Sequence, residues 1–153
     1  MKYTPSCLLF FLLCFSPALL AAQCPEFQLV SLQSFQRADA AEKETKILDC
    51  GFDLGSTTAA SRRYNKCWLG NSNGKTYFQQ LIIWDFKANT IQYMTLDEAH
   101  YLHLRSAIEE RHSTTYTGGN GQNEYIGKMF RYNFGRQSLD GAEYFIVRIA
   151  WKA

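Results

Sequence analysis

The chain has 153 residues, of which 46% are apolar and 15% aromatic, with 16 Lys and Arg set against 14 Asp and Glu. That near balance leaves no basic excess of the kind nucleic acid selects, and no acidic tail. The composition is that of a packed globule rich in Tyr and Phe.

The first two dozen residues set the compartment. Lys2 gives a short basic start, Cys7 to Phe15 form an apolar run, Ser16 and Pro17 break it, and Ala18 to Ala22 end in small residues. This is the layout of a cleaved secretory signal over residues 1–22. The run is shorter than the roughly 20 apolar residues that span a bilayer. A lipoprotein anchor on Cys24 is the alternative, but lipid attachment needs a small residue before the cysteine and Gln23 stands there. No later segment is apolar enough to cross a membrane, so no integral membrane segment is expected after cleavage.

The remainder, residues 23–153, fits one domain. Cys7 and Cys14 leave with the signal, and Cys24, Cys50 and Cys67 remain. In an oxidising compartment one pair plus one leftover is the simplest account. Three pairings are open, and Cys24 is the favoured partner because the N-terminal segment would otherwise fray. The absence of an Asn-x-Ser/Thr acceptor favours a bacterial envelope protein over a eukaryotic secreted one.

In chain order, the apolar stretch Phe27 to Val30 predicts a first strand. Gln33 to Thr45 reads as a loop or a weak helix. Ile47 to Phe52 alternates and predicts a strand, and Gly55 to Ser61 a turn-rich link. Tyr64 to Leu69 and Thr76 to Phe86 flank Gly70 to Gly74, where Asn73-Gly74 is a hairpin signal. Leu81 to Trp84 is apolar on both faces and predicts a central strand. Lys87 to Thr90 turns the chain into a strand at Ile91 to Met94. Thr95 and Glu98 form a capping-box pattern that opens a helix over about 96–111. Its apolar side carries Leu96, Tyr101, Leu104, Ala107 and Ile108. A polar loop follows over His112 to Asn123. Two strands close the chain, one with Ile126, Phe130, Tyr132 and Phe134 on a face, the other with Phe145, Val147, Ile149 and Trp151, joined by Asp140-Gly141. The expected fold is a single-domain α+β one, a mostly antiparallel sheet of five to seven strands with one main helix on one face.

Reactive constellations are sparse. His100 and His103 sit at i and i+3 with Asp97 a turn away and His112 beyond, but the zinc spacing His-Glu-x-x-His is absent. His100 falls in the apolar stripe and reads as a core residue. Asp49-Cys50-Gly51 loosely resembles the Asp-Cys-Ser-Gly start of papain-like cell-wall peptidases. The serine is missing, Gly51 and Gly55 oppose a following helix, and no His lies on a later strand, so Cys50 reads as structural or bridged. Asp85, Asp97, Glu98 and Glu143 offer no defined pair for glycoside hydrolysis, and Glu109-Glu110-Arg111 reads as a solvated helix end. Gly118 to Gly121 lacks the Lys-Ser/Thr of a phosphate loop. Arg62, Arg63, Lys66 and Lys75 suggest a small basic group around the first hairpin. Trp68, Trp84 and Trp151 are expected mostly in the core, while some tyrosines must be outside.

Two function classes survive, with a third behind them. The first is an exported, non-enzymatic protein-binding module, an inhibitor or immunity protein acting on a cell-wall hydrolase or toxin. Its expected contact residues are Tyr116, Gly118, Gly119, Asn120 and Gly121, with no cofactor and no metal. The second is a small exported hydrolase using a carboxylate with His100 or His103. The third is an envelope small-ligand binder with a pocket between helix and sheet.

Overall fold

The computed structural model describes residues 24–72, 74–111, 114–117 and 123–152. The signal segment, His112 and Gly118 to Gly121 lie outside the described residues. Two helices come first, α1 (Leu29–Arg37) and α2 (Ala40–Asp49). A four-strand meander follows: β1 (Asp53–Thr57), β2 (Ser61–Ser72), β3 (Lys75–Asp85) and β4 (Thr90–Thr95). Helix α3 (Glu98–Glu109) leads into a second meander, β5 (Thr115–Tyr116), β6 (Asn123–Ile126), β7 (Phe130–Leu139) and β8 (Ala142–Trp151). The eight strands make one antiparallel sheet in the order β1-β2-β3-β4-β8-β7-β6-β5. Each half is thus a helical segment followed by a meander, and the last strands of the two halves pair at the centre.

The α+β, mostly antiparallel expectation holds, with two corrections. The sheet has eight strands rather than five to seven, because β1 and β5 are short edge strands with exposed side chains and no apolar alternation. And α3 does not cover the sheet alone. Leu29, Leu32, Phe35 and Ile47 from α1 and α2 share the core with Tyr101, Leu104 and Ile108 from α3.

The first helix replaces the strand expected at Phe27 to Val30. Leu29, Leu32, Gln33, Phe35 and Gln36 are its buried positions, a helical stripe in which two glutamines stand among the apolar residues. Gln33 Nε2 donates to Tyr132 Oη at 2.7 Å and Gln36 Nε2 to the Asn89 carbonyl at 2.7 Å, which lets both be buried. Of the span Gln33 to Thr45, expected as a loop or a short, weak helix, Gln33 to Arg37 complete α1 and Ala40 to Thr45 open the second helix. Asp39 caps it by accepting from the Glu42 amide at 2.9 Å.

The strand expected at Ile47 to Phe52 is the end of α2. Gly51 at φ +80 donates to the Leu48 carbonyl, and the Phe52 amide to the Ile47 carbonyl. That is a Schellman ending with its apolar pair, Ile47 and Phe52, both buried. The helix expected from Thr95 is capped instead by Asp97, which accepts from the His100 amide at 3.1 Å. Thr95 Oγ1 accepts from the Asp97 amide at 3.0 Å, and Glu98 pairs with Arg136 at 3.3 Å.

Both predicted hairpins form with two-residue turns, Ser72 pairing Lys75 and Leu139 pairing Ala142. Gly74, Asp140 and Gly141 take positive φ there, as such turns require. Helices cover one face of the sheet, where Tyr64, Ile82, Trp84, Ile91, Tyr93, Phe130, Tyr132, Phe134, Val147 and Ile149 point. On the other face a smaller cluster forms from Leu81, Met94, Tyr144 and Ile146. The sheet curls over it: Tyr144 Oη donates to the Phe78 carbonyl at 2.8 Å, and Arg63 pairs with Asp140 at 2.7 Å across strands that are not neighbours.

The N-terminal segment is fastened at several points. Cys24 is bridged to Cys67, Gln80 Nε2 donates to the Pro25 carbonyl at 3.0 Å, and the Phe27 ring stacks on Tyr93 at 4.6 Å. Cys50 is the leftover thiol.

Candidate functional site

Tyr116 is the one predicted contact residue that the described structure places. It sits on β5, the edge strand, opposite Tyr125 of β6, and is 51% exposed. Its ring lies 5.0 Å from that of Tyr125, whose hydroxyl donates to Glu109 Oε1 at 2.7 Å. Glu109 is held in turn by Arg105 Nε at 2.6 Å. Partial burial opposes the Glu109 charge, but the bonds from Arg105 and Tyr125 outweigh it and hold the carboxyl below its ordinary range. Behind Tyr125 the rings of Phe134, Tyr101 and Phe145 follow in contact, so a run of aromatics ties the exposed Tyr116 to the core. The Thr117 amide donates to the Glu124 carbonyl at 3.0 Å, which anchors the chain beside Gly118, Gly119, Asn120 and Gly121, themselves outside the described residues.

His100 and His103 do not form a site. His100 is 3% exposed, with Nε2 2.7 Å from the Phe27 carbonyl and Nδ1 3.2 Å from Tyr93 Oη. A carbonyl only accepts, so Nε2 carries the proton, and the Tyr93 hydroxyl donates to Nδ1. His103 is exposed on another side of α3. Among the described residues no three His, Cys, Asp or Glu side chains converge as metal ligands.

Cys50 stands at the C-cap of α2. That is the C-terminal end of a helix, not the N-terminal end where a nucleophilic cysteine is placed. Asp85 and Asp97 accept from the amides of Ala88 and His100, and Glu98 is paired with Arg136, so the carboxylates have separate structural tasks. The expected basic group is also dispersed. Arg62 pairs with Glu44, Arg63 with Asp140, and Lys66 Nζ donates to the Cys50 carbonyl at 2.8 Å.

The expectation for the tryptophans fails for two of three. Trp84 is buried, whereas Trp151 is part exposed and Trp68 is 63% exposed. Trp68 lies on the outer part of β2, beyond the reach of β1, where Cys67 at φ +57 and a register shift between Trp68 and Gly70 break the alternation.

A second region was not foreseen in the sequence. Between the start of α2 and the β2–β3 face lies an open cleft of about 530 Å³, lined by Ala40, Ala41, Glu44, Arg62, Trp84 and Phe86 among others. Trp84 carries two cations near its ring, Lys43 Nζ at 4.9 Å and Arg62 at 5.9 Å. Lys43 is 3% exposed. It has no ion pair or side-chain hydrogen bond among the described residues, and burial pushes its ammonium below the usual lysine range. The charged groups around the cleft are Glu44 on the same helix and Arg62 on β2.

The unfolded chain therefore binds more protons than the folded one between the depressed folded value and the ordinary lysine value of about 10.4. Stability should rise with pH through that window, and Lys43→Met should remove that part of the rise. Urea midpoints of both proteins at neutral pH and near the lysine range measure it. Curves that stay parallel would contradict the burial of an unpaired charge.

The fold and its edge define a helix-covered, curled antiparallel sheet that presents a supported aromatic at one margin. No family model, curated protein or solved structure matches the chain. No helix among the described residues is long and apolar enough to cross a membrane.

Proposed function

We propose that the chain is an exported, non-enzymatic protein-binding module, an inhibitor or immunity protein that engages a cell-envelope enzyme or toxin through the β5–β6 edge and the adjoining residues 118–121. The observation that carries this reading is Tyr116. It is a large exposed aromatic whose ring is held by Tyr125, whose hydroxyl is in turn fixed by Glu109 and Arg105. An aromatic already fixed in place loses little entropy on binding, which is how Tyr and Trp become the dominant contacts of an interface. Export is supported by the leader in the sequence and by the Cys24–Cys67 bridge, since such bonds persist in oxidising compartments.

The experiment uses the chain from residue 23 as bait on the envelope fraction of its native organism, followed by affinity measurement with the purified partner. Tyr116→Ala should weaken binding by about 2 kcal/mol, roughly 30-fold, with a thermal midpoint close to that of the parent. Deleting residues 118–121 should abolish binding with a similar midpoint. Unchanged affinity in both variants would refute the reading, as would a failure to retain any protein.

A further inference from the structure

Three cations meet where the end of α1, the segment beyond α3 and the β6–β7 turn come together. Arg37 closes α1, Arg111 follows the C-cap of α3, and Lys128 lies in the turn closed by the bond from the Gly127 amide to the Phe130 carbonyl. All three line one cavity of about 180 Å³. No Asp or Glu lines it, and none of the three makes an ion pair among the described residues. Like charges gathered around one small space repel one another, and a cavity lined by a single sign of charge attracts the opposite ion. The two arginines also serve their helix ends. Arg111 Nε donates to the Ala107 carbonyl at 3.3 Å, and Arg37 lies over the Phe130 ring with one weak bond from Nη2 to Met129 Sδ at 3.9 Å. Those contacts leave most of the guanidinium donors unused, and a helix end does not account for Lys128.

The base of the cavity is polar and buried. Tyr132 and Gln33 both line it, and they are 3% and 7% exposed. Gln33 Nε2 donates to Tyr132 Oη at 2.7 Å, so the hydroxyl accepts there, and its own proton has no acceptor among the described residues. A buried donor without an acceptor is costly, so a group that accepts belongs in front of it. Burial pushes the Tyr132 phenol up, against the bond from Gln33 and the charges of Arg111 and Arg37, so the hydroxyl keeps its proton and both guanidinium charges act on it. Half-buried Thr114 adds a second hydroxyl to the lining. Gly127 leaves room, since a Cβ there would come within 3.3 Å of the Phe130 carbonyl oxygen and 3.5 Å of the Tyr132 ring.

We infer that this cavity binds a phosphate group, with Arg37, Arg111 and Lys128 set against its charge and the Tyr132 hydroxyl donating to one of its oxygens. Two guanidinium groups, an ammonium and a hydroxyl offer more donors than the two oxygens of a carboxylate take up, and a tetrahedral oxyanion can accept from all of them. A phosphate monoester carries a charge of about −1.5 to −2 at neutral pH, which answers three cations better than a single negative charge does. The same group can arrive as the free ion or as the end of a larger molecule. Thr114 and Gly127 place the cavity next to β5 and β6. It rests on none of the observations behind the protein-binding reading, and its test needs no partner, so each can fail alone.

The probe is inorganic phosphate, titrated by calorimetry into the folded chain from residue 23 at neutral pH and low ionic strength. Glycerol phosphate serves as the monoester and acetate as the singly charged carboxylate. Phosphate should bind one to one with a Kd of about 0.1–1 mM, at least about tenfold more tightly than acetate. The tighter of the two phosphates names the source, free ion or end of a larger molecule, and equal affinity assigns recognition to the group itself. Lys128→Gln, at an exposed turn position, should lower phosphate affinity about fivefold, and Lys128→Gln with Arg37→Gln about 30-fold. Tyr132→Phe keeps the ring and should also weaken phosphate about fivefold, with Lys128→Gln deciding should that variant not fold. Lys75→Gln removes the same charge at the start of β3 and should leave the affinity unchanged. The inference is overturned by no saturable heat with either phosphate, by acetate binding as tightly, or by Lys128→Gln behaving like Lys75→Gln.

Discussion

Replacing Cys24 and Cys67 together by Ser is expected to lower the thermal midpoint by roughly 10–15 °C. The bridge joins residues 43 apart in sequence. A closed loop of that length restricts the unfolded chain by about 4 kcal/mol in the chain-entropy account, and a domain of this size loses about 3–4 °C per kcal/mol. The native side of the balance acts in the same direction. Cys24 heads a segment whose next residues serve the core: the Pro25 carbonyl accepts from Gln80, the Phe27 carbonyl from His100, and the Phe27 ring meets Phe35, Phe52 and Tyr93. Without the bridge that segment is free to fray from its end, and the Phe27 contacts become easier to open. Calorimetry of the double variant, with Cys50→Ser as the control, measures the effect. The control should melt with the parent, because the half-buried Cys50 is unbridged. A shift below about 3 °C in the double variant would mean that the segment is held by its other contacts alone.

The sequence was most legible where local chemistry and burial agree. Asp140-Gly141 turns as it must, and Leu81 to Trp84 is central because both its faces are covered, Leu81 in one cluster and Ile82 and Trp84 in the other. The faces read for Phe130, Tyr132 and Phe134, and for Val147 and Ile149, are the core faces.

It was least legible where polar residues are buried. Gln33, Gln36 and Lys43 occupy inward positions of α1 and α2, so the helical stripe is broken by residues that normally mark a surface. A short apolar run at Phe27 to Val30 then looks like a strand. The capping pattern Asp39-x-x-Glu42 was the signal that could have recovered α2. Ile47 to Phe52 misleads for a different reason. Leu48, Cys50 and Phe52 alternate in the sequence, but Leu48 is exposed at the end of α2, and the apolar pair that the Schellman ending buries is Ile47 and Phe52, five residues apart.

The site divides in the same way. Tyr116 could be singled out because a lone aromatic in a polar, glycine-rich stretch has no core to join. Its support from Tyr125 and Glu109 depends on β6 and α3 and could not be read from spacing. The cleft was wholly hidden. Its lining comes from α2, β2, β3 and the turn into β4, and Lys43, buried over the ring of Trp84, looks in sequence like one more solvated charge among Glu42 and Glu44. The cysteine pairing also lay beyond sequence, since the route of Cys24 over the outer part of β2 is a tertiary fact.

His100→Ala is expected to destabilise the fold by about 3–5 kcal/mol, the second large effect. The imidazole fills space between α3, β4 and the N-terminal segment, and its removal leaves a cavity in a fully covered region. It also takes the imidazole from two buried polar atoms, the Phe27 carbonyl oxygen and the Tyr93 hydroxyl. Tyr93 is itself fully buried, and desolvation pushes its phenol well above the usual range, so the hydroxyl stays protonated and must be hydrogen-bonded as a neutral group. Tyr93→Phe removes only the hydroxyl and should cost about 1 kcal/mol, while His103→Ala at an exposed position should cost almost nothing. Because Tyr93 loses the imidazole in the His100 variant, the double change His100→Ala with Tyr93→Phe should cost less than the sum of the two. Urea denaturation of the four variants tests the set. A histidine kept for acid–base chemistry would behave in the opposite way: His100→Ala would leave stability near that of the parent, and the two changes would add.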